Sequence, residues 1–216
     1  MKRLLLVLGF MIQSLLFYGQ EGAVFMQDKA FIDHQPIDSG LLRTISKQKE
    51  FTSLSVFDQG LIYWLNILHQ DPPTFSRNYL TPFLRQFPEL QGKDARSLEK
   101  DLLATEPLSS LITNKNLKQA AELQANYLAK SNLFTHTGPR GKSFTQRMSD
   151  AGIKGCAAEN LFAGKADPLI ALFLLLIDNG VEGAGHRKIL LSPAFAKIGI
   201  GKSTGTKLIS DRKSVV

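Results

Sequence analysis

LLLIDNGVEGAGHRKILLSPAFAKIGIG, residues 174–201, decides the fold class because helix, turn and strand signals follow one another within it. Its first residues finish the run LIALFLLLID, residues 169–178, which is apolar on every face and therefore predicts a helix buried all round. That run is too short to cross a bilayer. Asp167 and Pro168 stand ahead of it as N-cap and first helical residue, where proline gives up no helical hydrogen bond, and Asn179–Gly180 closes it. A glycine-rich turn carries Gly185, His186 and Arg187, after which KIGIG reads as a short strand near Ile198 and Ile200. A buried helix followed by a strand, in a chain where helical signals outnumber strand signals, predicts an α+β domain.

Upstream, Leu117, Ala120, Ala121 and Leu128 recur at helical spacing and predict a helix from Asn114 to near Ser131. The next segment, LFTHTGPRGKSF, holds Gly138, Pro139 and Gly141 and must turn at the surface. Ser143 and Gln146 then form a capping box, and Gly152 is placed to stop the short helix it begins. Farther back, FDQGLIYWLNILHQ puts Leu61, Trp64, Leu65 and Leu68 on one helical face before Pro72 and Pro73 end it. A second helical stretch through Phe75, Tyr79 and Phe83 is interrupted at Pro82, and residues 88–106 read as a charged loop with a short helix.

The N-terminal MKRLLLVLGFMIQSLLFYGQ sets Lys2 and Arg3 before an apolar run, the order of a secretory signal. Residues 1–20 are therefore expected to be removed on export, and residues 21–57, which keep no sustained period, to form a lead or linker. The whole chain has 216 residues and a formal charge of +7, which falls to +5 when Lys2 and Arg3 leave with the signal. No basic stripe with interleaved aromatics accompanies that charge, so a nucleic-acid partner is not expected. Cys156 is the single cysteine, which excludes an intramolecular disulfide framework and leaves histidines and carboxylates as ligands for any metal.

Four such groups stand beside turns: His136, Glu159, Asp178 and His186. Imidazole and carboxylate both suit zinc or a similar divalent ion. They are widely spaced and no HExxH fixes two of them on one helix, so the residues alone favour structural roles. In those, the histidines hydrogen-bond the backbone, Glu159 caps a helix or joins a salt bridge, and Asp178 sits at a helix end. Glu182 is an alternative to Asp178 as the second acid. Cys156 lacks an activating neighbour for nucleophilic work, and His34 and His69 read as structural or solvated. GIGKSTG has Ala196 where a phosphate loop needs its first glycine.

LFTHTGPRGKSFTQRMSDAG, AAENLFAG and the stretch quoted at the start, taken together in this order, resemble the bacterial SCP-like branch of the CAP superfamily. These are secreted domains related to cysteine-rich secretory proteins, antigen 5 and pathogenesis-related 1. The resemblance spans residues 58–204 and implies an α–β–α sandwich with a shallow cleft lined by two histidines and two acids. Carried over, His136 and His186 are the histidines, Glu159 the first acid and Asp178 the second, with Leu175 where the family often has tryptophan. Residues 205–216 are left as a tail. The family's closing aromatic strand has no counterpart in LISDRKSVV, so the sheet is expected to lack it.

Three functions follow from the resemblance. The first is a secreted or extracytoplasmic binding or interaction module for a lipid, peptide or cell-surface polymer, without a membrane span in the mature chain. Its cleft would hold zinc or another divalent cation, with His136 and His186 as ligands. The second is a metal-dependent extracellular hydrolase of peptidase type, with Glu159 as general base. The third is a truncated structural copy. Whether the protein is an enzyme stays open at this level.

Overall fold

The computed structural model describes residues 30–31, 35–164, 166–203 and 212–215. The expected signal segment and His34 lie outside them. Nine α-helices and five short strands follow among the described residues. The first helix, α1 (Ser39–Ile45), falls inside the stretch expected as a linker and buries Leu41 and Ile45. Seven residues are too few to show a helical period in sequence, but the Asp38 carboxylate accepts from the Leu41 amide and starts the turn.

α2 (Val56–Gln70) matches the predicted amphipathic helix, capped by Ser55 and ended before Pro72. Asp71 then caps α3 (Pro72–Phe75), and a π-helical turn at Ser76–Leu80 leads into α4 (Thr81–Gln86). The interruption expected at Pro82 is thus an irregular turn in near-continuous helix. Proline sits at the start of α4, where its missing amide costs least. α5 (Lys93–Ala104) is longer than the short helix expected in 88–106, and buries Ala95, Leu98 and Leu102 along one side.

β1 (Ile112–Thr113) precedes α6 (Lys115–Ser131), which Asn114 caps as the sequence indicates. α7 (Phe144–Asp150) carries the complete Ser143–Gln146 capping box. β2 (Asn160–Ala163) leads to α8 (Pro168–Ile177), of which all but Pro168 and Leu174 are buried. Helix α8 ends one residue earlier than expected, at Asp178, whose left-handed φ of 57° terminates it. α9 (Gly185–Leu190) follows.

KIGIG is two strands rather than one. β3 (Lys197–Ile198) pairs in parallel with β1, and β4 (Ile200–Ser203) joins an antiparallel sheet of order β2-β5-β4. The middle strand of that sheet, β5 (Arg212–Val215), comes from the expected tail and pairs Asn160 with Val215 on one edge and Ile200 with Val215 on the other. The expectation of a missing closing strand is corrected here. RKSV has no apolar alternation to announce a strand, and its extension comes from the two backbones that flank it.

Helix α6 packs on β4 and β5, while α8, backed by α2 and α5, packs toward β2, which gives the α–β–α layering. Phe173 of α8 stacks on Phe83 with ring centroids 4.4 Å apart and also meets Phe75 and Phe31. The C-terminal turns of α2 are tied down by polar clamps. Asn66 accepts the Leu111 amide at 2.9 Å, and the buried His69 ring lies 2.8 Å from the Ser109 carbonyl and 2.9 Å from that of Leu190. His69 is thus structural, one of the two roles, structural or solvated, that its isolation in sequence left open.

Candidate functional site

The four candidate residues are brought together as two pairs. His136, on the turn after α6, lies with Nδ1 2.9 Å from Glu159 Oε1, and Glu159 immediately precedes β2. Arg147 of α7 donates through Nη2 to the same Glu159 oxygen at 2.7 Å and to the His136 carbonyl at 3.0 Å. The capping box explains the reach of this arginine. By fixing where α7 begins, it directs residue 147, one turn later, back across Gly138, where any side chain would collide with the Arg147 stem. Nε and Nη1 of Arg147 stay without hydrogen-bond partners, so the guanidinium grips Glu159 through one nitrogen rather than as a fork.

In the second pair, His186 Nδ1 lies 2.6 Å from Asp178 Oδ1, while Asp178 Oδ2 accepts the His186 amide at 2.9 Å. Asp178, rather than Glu182, is the acid against His186, because the left-handed turn at Asp178 points its carboxylate at the N-terminus of α9. Glu182 sits exposed on the connecting turn. Arg187, the neighbour of His186, is 2% exposed and spends its guanidinium on α5 and on the end of α8.

The two pairs flank the same strand. A recess of about 20 Å³ lined by Asp178, His186, Leu161 and Phe162 adjoins β2. That volume holds about one water and no larger ligand. Glu159, Asp178 and His186 are all buried, whereas the His136 side chain is a quarter exposed. His136 is therefore the member of the set that offers itself to an outside molecule.

Burial alone raises the Glu159 carboxyl, but the His136 hydrogen bond and the Arg147 hydrogen bond and charge outweigh it and hold the group below its ordinary value of 4.5. Because the folded-state value is depressed, the stability this carboxylate contributes is present above 4.5 and is lost as pH falls through the folded value. Urea unfolding of the wild type and of Glu159→Gln, followed from neutrality downward, should show the variant less stable near neutrality and losing less on acidification. Parallel curves would mean that Glu159 is not ion-paired in solution.

For a metal, the donors left are few. Each Nδ1 is committed to a carboxylate, so the Nε2 atoms of His136 and His186 are what the histidines could present. Among the described residues no group of three or more His, Cys, Asp or Glu is arranged to hold an ion. Catalytic zinc takes three protein ligands and structural zinc four, and the donor set here does not fit either pattern. Cys156 is exposed and lies in the wall of a different cavity.

Sequence reading missed the two arginines. Both stand inside the quoted motifs, Arg147 in FTQRMSDAG and Arg187 in GHRKILL, but their partners are set by tertiary contact. The available signal was a cation one turn into a capped helix and a cation next to a candidate histidine.

The model of the cysteine-rich secretory protein family, CAP, matches residues 93–210, more than half of the chain. No curated protein matches it in sequence. Among solved structures, the chain is similar to an extracellular protein containing an SCP domain from Bacillus anthracis, at 21% identity and a TM-score of 0.40, covering 50% of this chain and 34% of that one. An outer surface protein of Borrelia burgdorferi is 20% identical with a TM-score of 0.41, covering 61% of this chain and 90% of that one. A cysteine-rich secretory protein of Staphylococcus aureus is 16% identical with a TM-score of 0.35, covering 59% and 38%. The chain thus spans about a third of the length of the Bacillus and Staphylococcus proteins. Among the described residues, no helix is long and apolar enough to cross a membrane.

Proposed function

The chain belongs to the cysteine-rich secretory protein family, CAP, and from that premise we propose that it works as an exported module that binds a ligand outside the cytoplasm rather than turning one over. The signal-like residues 1–20 supply the route out. His136 supplies the accessible contact, and its carboxylate partner holds the ring through Nδ1, which leaves Nε2 as the nitrogen it can present. Lipid, peptide and cell-surface polymer remain the ligand classes to be tested.

One observation supports binding over hydrolysis: the ion pair between Arg147 and Glu159. A general base works best when its pKa lies near the operating pH, and enzymes raise a glutamate to reach it. Glu159 is held in the opposite direction, below its ordinary value. It is also the carboxylate that orients His136, so protonating it during a reaction would remove the charge that strengthens its hold on His136 and Arg147. For a resident zinc ion the donors are too few, since among the described residues no group of three or more His, Cys, Asp or Glu is arranged to hold one.

Digestion of a broad peptide library separates the two activities. Binding predicts that cleavage by the wild type equals that by Glu159→Gln and by a no-protein control. Cleavage by the wild type that the Glu159→Gln substitution removes would establish the hydrolase instead.

A further inference from the structure

A cavity of about 400 Å³ lies where the first turn of α6, the loop after α7 and the segment from α9 to β3 meet the end of α2. That volume is in the range of small-molecule pockets, roughly 300–1,000 Å³. None of His136, Glu159, Asp178 or His186 is in its walls, so it is a site apart from the histidine–acid pairs. The chemistry of its lining decides what it can hold.

The buried part of the wall is hydrocarbon and offers an occupant no side-chain hydrogen bond. Leu65, Leu117, Leu190 and Ile198 are buried there. Of the two buried polar side chains beside them, His69 spends both ring nitrogens on the Ser109 and Leu190 carbonyls, and the amide atoms of Asn160 are sealed off from any occupant. A ligand amide or hydroxyl placed against this wall would give up its water with no side chain to replace it, which is costly. The body of a well-matched ligand is therefore apolar.

The exposed part of the wall carries charge of one sign. Lys154 and Lys197 stand in it, and both are exposed. Among the described residues the ion-paired lysines are Lys118 and Lys142, and no Asp or Glu lines the cavity, so these two ammonium groups have no counter-charge. Asn114 and Asn116 bring the first turn of α6 to the same wall, and that turn holds no acid to offset the positive end of the helix dipole. An apolar cavity with a cationic opening is complementary to an apolar anion. No arginine is present among the lining residues to fork onto a phosphate, and two point charges on flexible stems suit a carboxylate. We propose that this cavity binds a small apolar carboxylate, a free acid whose hydrocarbon body fills the buried wall and whose charged end meets Lys154 and Lys197. A peptide is the poorer match, because its amides would enter that wall unpaired.

The test is titration of the protein with octanoate, followed by amide NMR, beside octanamide, its uncharged counterpart, and N-acetyl-leucyl-leucine. The expected result is saturable shifts at Leu117, Ile153 and Ile198 with octanoate, about fivefold weaker binding of octanamide, and weaker binding of the peptide than of octanoate. Lys154→Met combined with Lys197→Met should weaken octanoate by about fivefold and leave octanamide unchanged. Both lysines are exposed, so the fold does not depend on them. Added salt should bring octanoate toward the affinity of octanamide. Absence of saturable shifts, equal affinity for octanoate and octanamide, unchanged octanoate affinity in the double lysine variant, or tighter binding of the peptide than of octanoate would overturn the proposal.

Discussion

Gly201→Val is expected to destabilise the protein by about 3 kcal/mol or more, at the upper end of what overpacking costs. β4 crosses α6 so closely that a Cβ on Gly201 would overlap the backbone of Ala121 and Glu122, and one on Gly199 would overlap Leu117 and Lys118. A flexible side chain could swing away from such a contact. A helix backbone moves only if the whole of α6 moves, and α6 covers β4 and β5. The loss therefore spreads to the sheet that carries β2, and with it to Glu159 and Asn160. Thermal and urea unfolding of Gly201→Ala and Gly201→Val should rank wild type, alanine, valine in falling stability. A change within about 0.5 kcal/mol for both, the range of ordinary surface substitutions, would show that the strand and helix are farther apart than described.

Arg187→Leu should cost about 3–5 kcal/mol, the range for breaking a buried charged cluster by removing one member. Nε donates to the Leu176 carbonyl at 2.7 Å and Nη2 to those of Ile177 and Asp94 at 3.0 and 2.9 Å, while Nη1 reaches Ser97 and Asp101. The carbonyls of Leu176 and Ile177 belong to the last turn of α8, where no further helical amide can satisfy them. The ion pair with Asp101 is the lesser part, since that carboxylate is about half exposed and water can replace the arginine there. Arg187→Lys keeps the charge but not the planar set of five donors, so it should recover less than half of the loss. Full stability in Arg187→Lys would mean that charge, rather than the hydrogen-bond fan, holds α9 to α5 and α8. Because His186 is the adjacent residue, either variant should also loosen its contact with Asp178.

How far the sequence alone reached depends on where each element's stabilisation comes from. α6 and α8 carry their own signals, Asn114 and Asp167 as caps and long apolar patterns behind them, so both were legible. α5 was underestimated because its buried Ala95, Leu98 and Leu102 are diluted by Lys, Asp, Arg and Glu on the other faces. β5 was missed altogether, since RKSV becomes a strand through β2 and β4 rather than by its own propensity. Gly199 looked like part of one strand, yet it marks where the chain leaves the β1 pairing and enters the sheet with β5.

The site divides in the same way. The motifs located all four histidine and acid residues, and local geometry at Asp178 decided which acid faces His186. The sharing of one Glu159 oxygen between His136 and Arg147 depends on α7 folding back over the 136–138 turn. No spacing rule encodes that contact, which fixes Glu159 and His136 against Arg147.

Carbon-13 NMR of the Glu159 side-chain carboxyl, followed as pH is lowered, tests most directly the idea that this group anchors the site and does not act as its base. The expected titration midpoint lies below 4.5 and rises when Arg147 is replaced by methionine. A midpoint above 4.5, approaching neutrality, would contradict that role and return Glu159 to the role of general base.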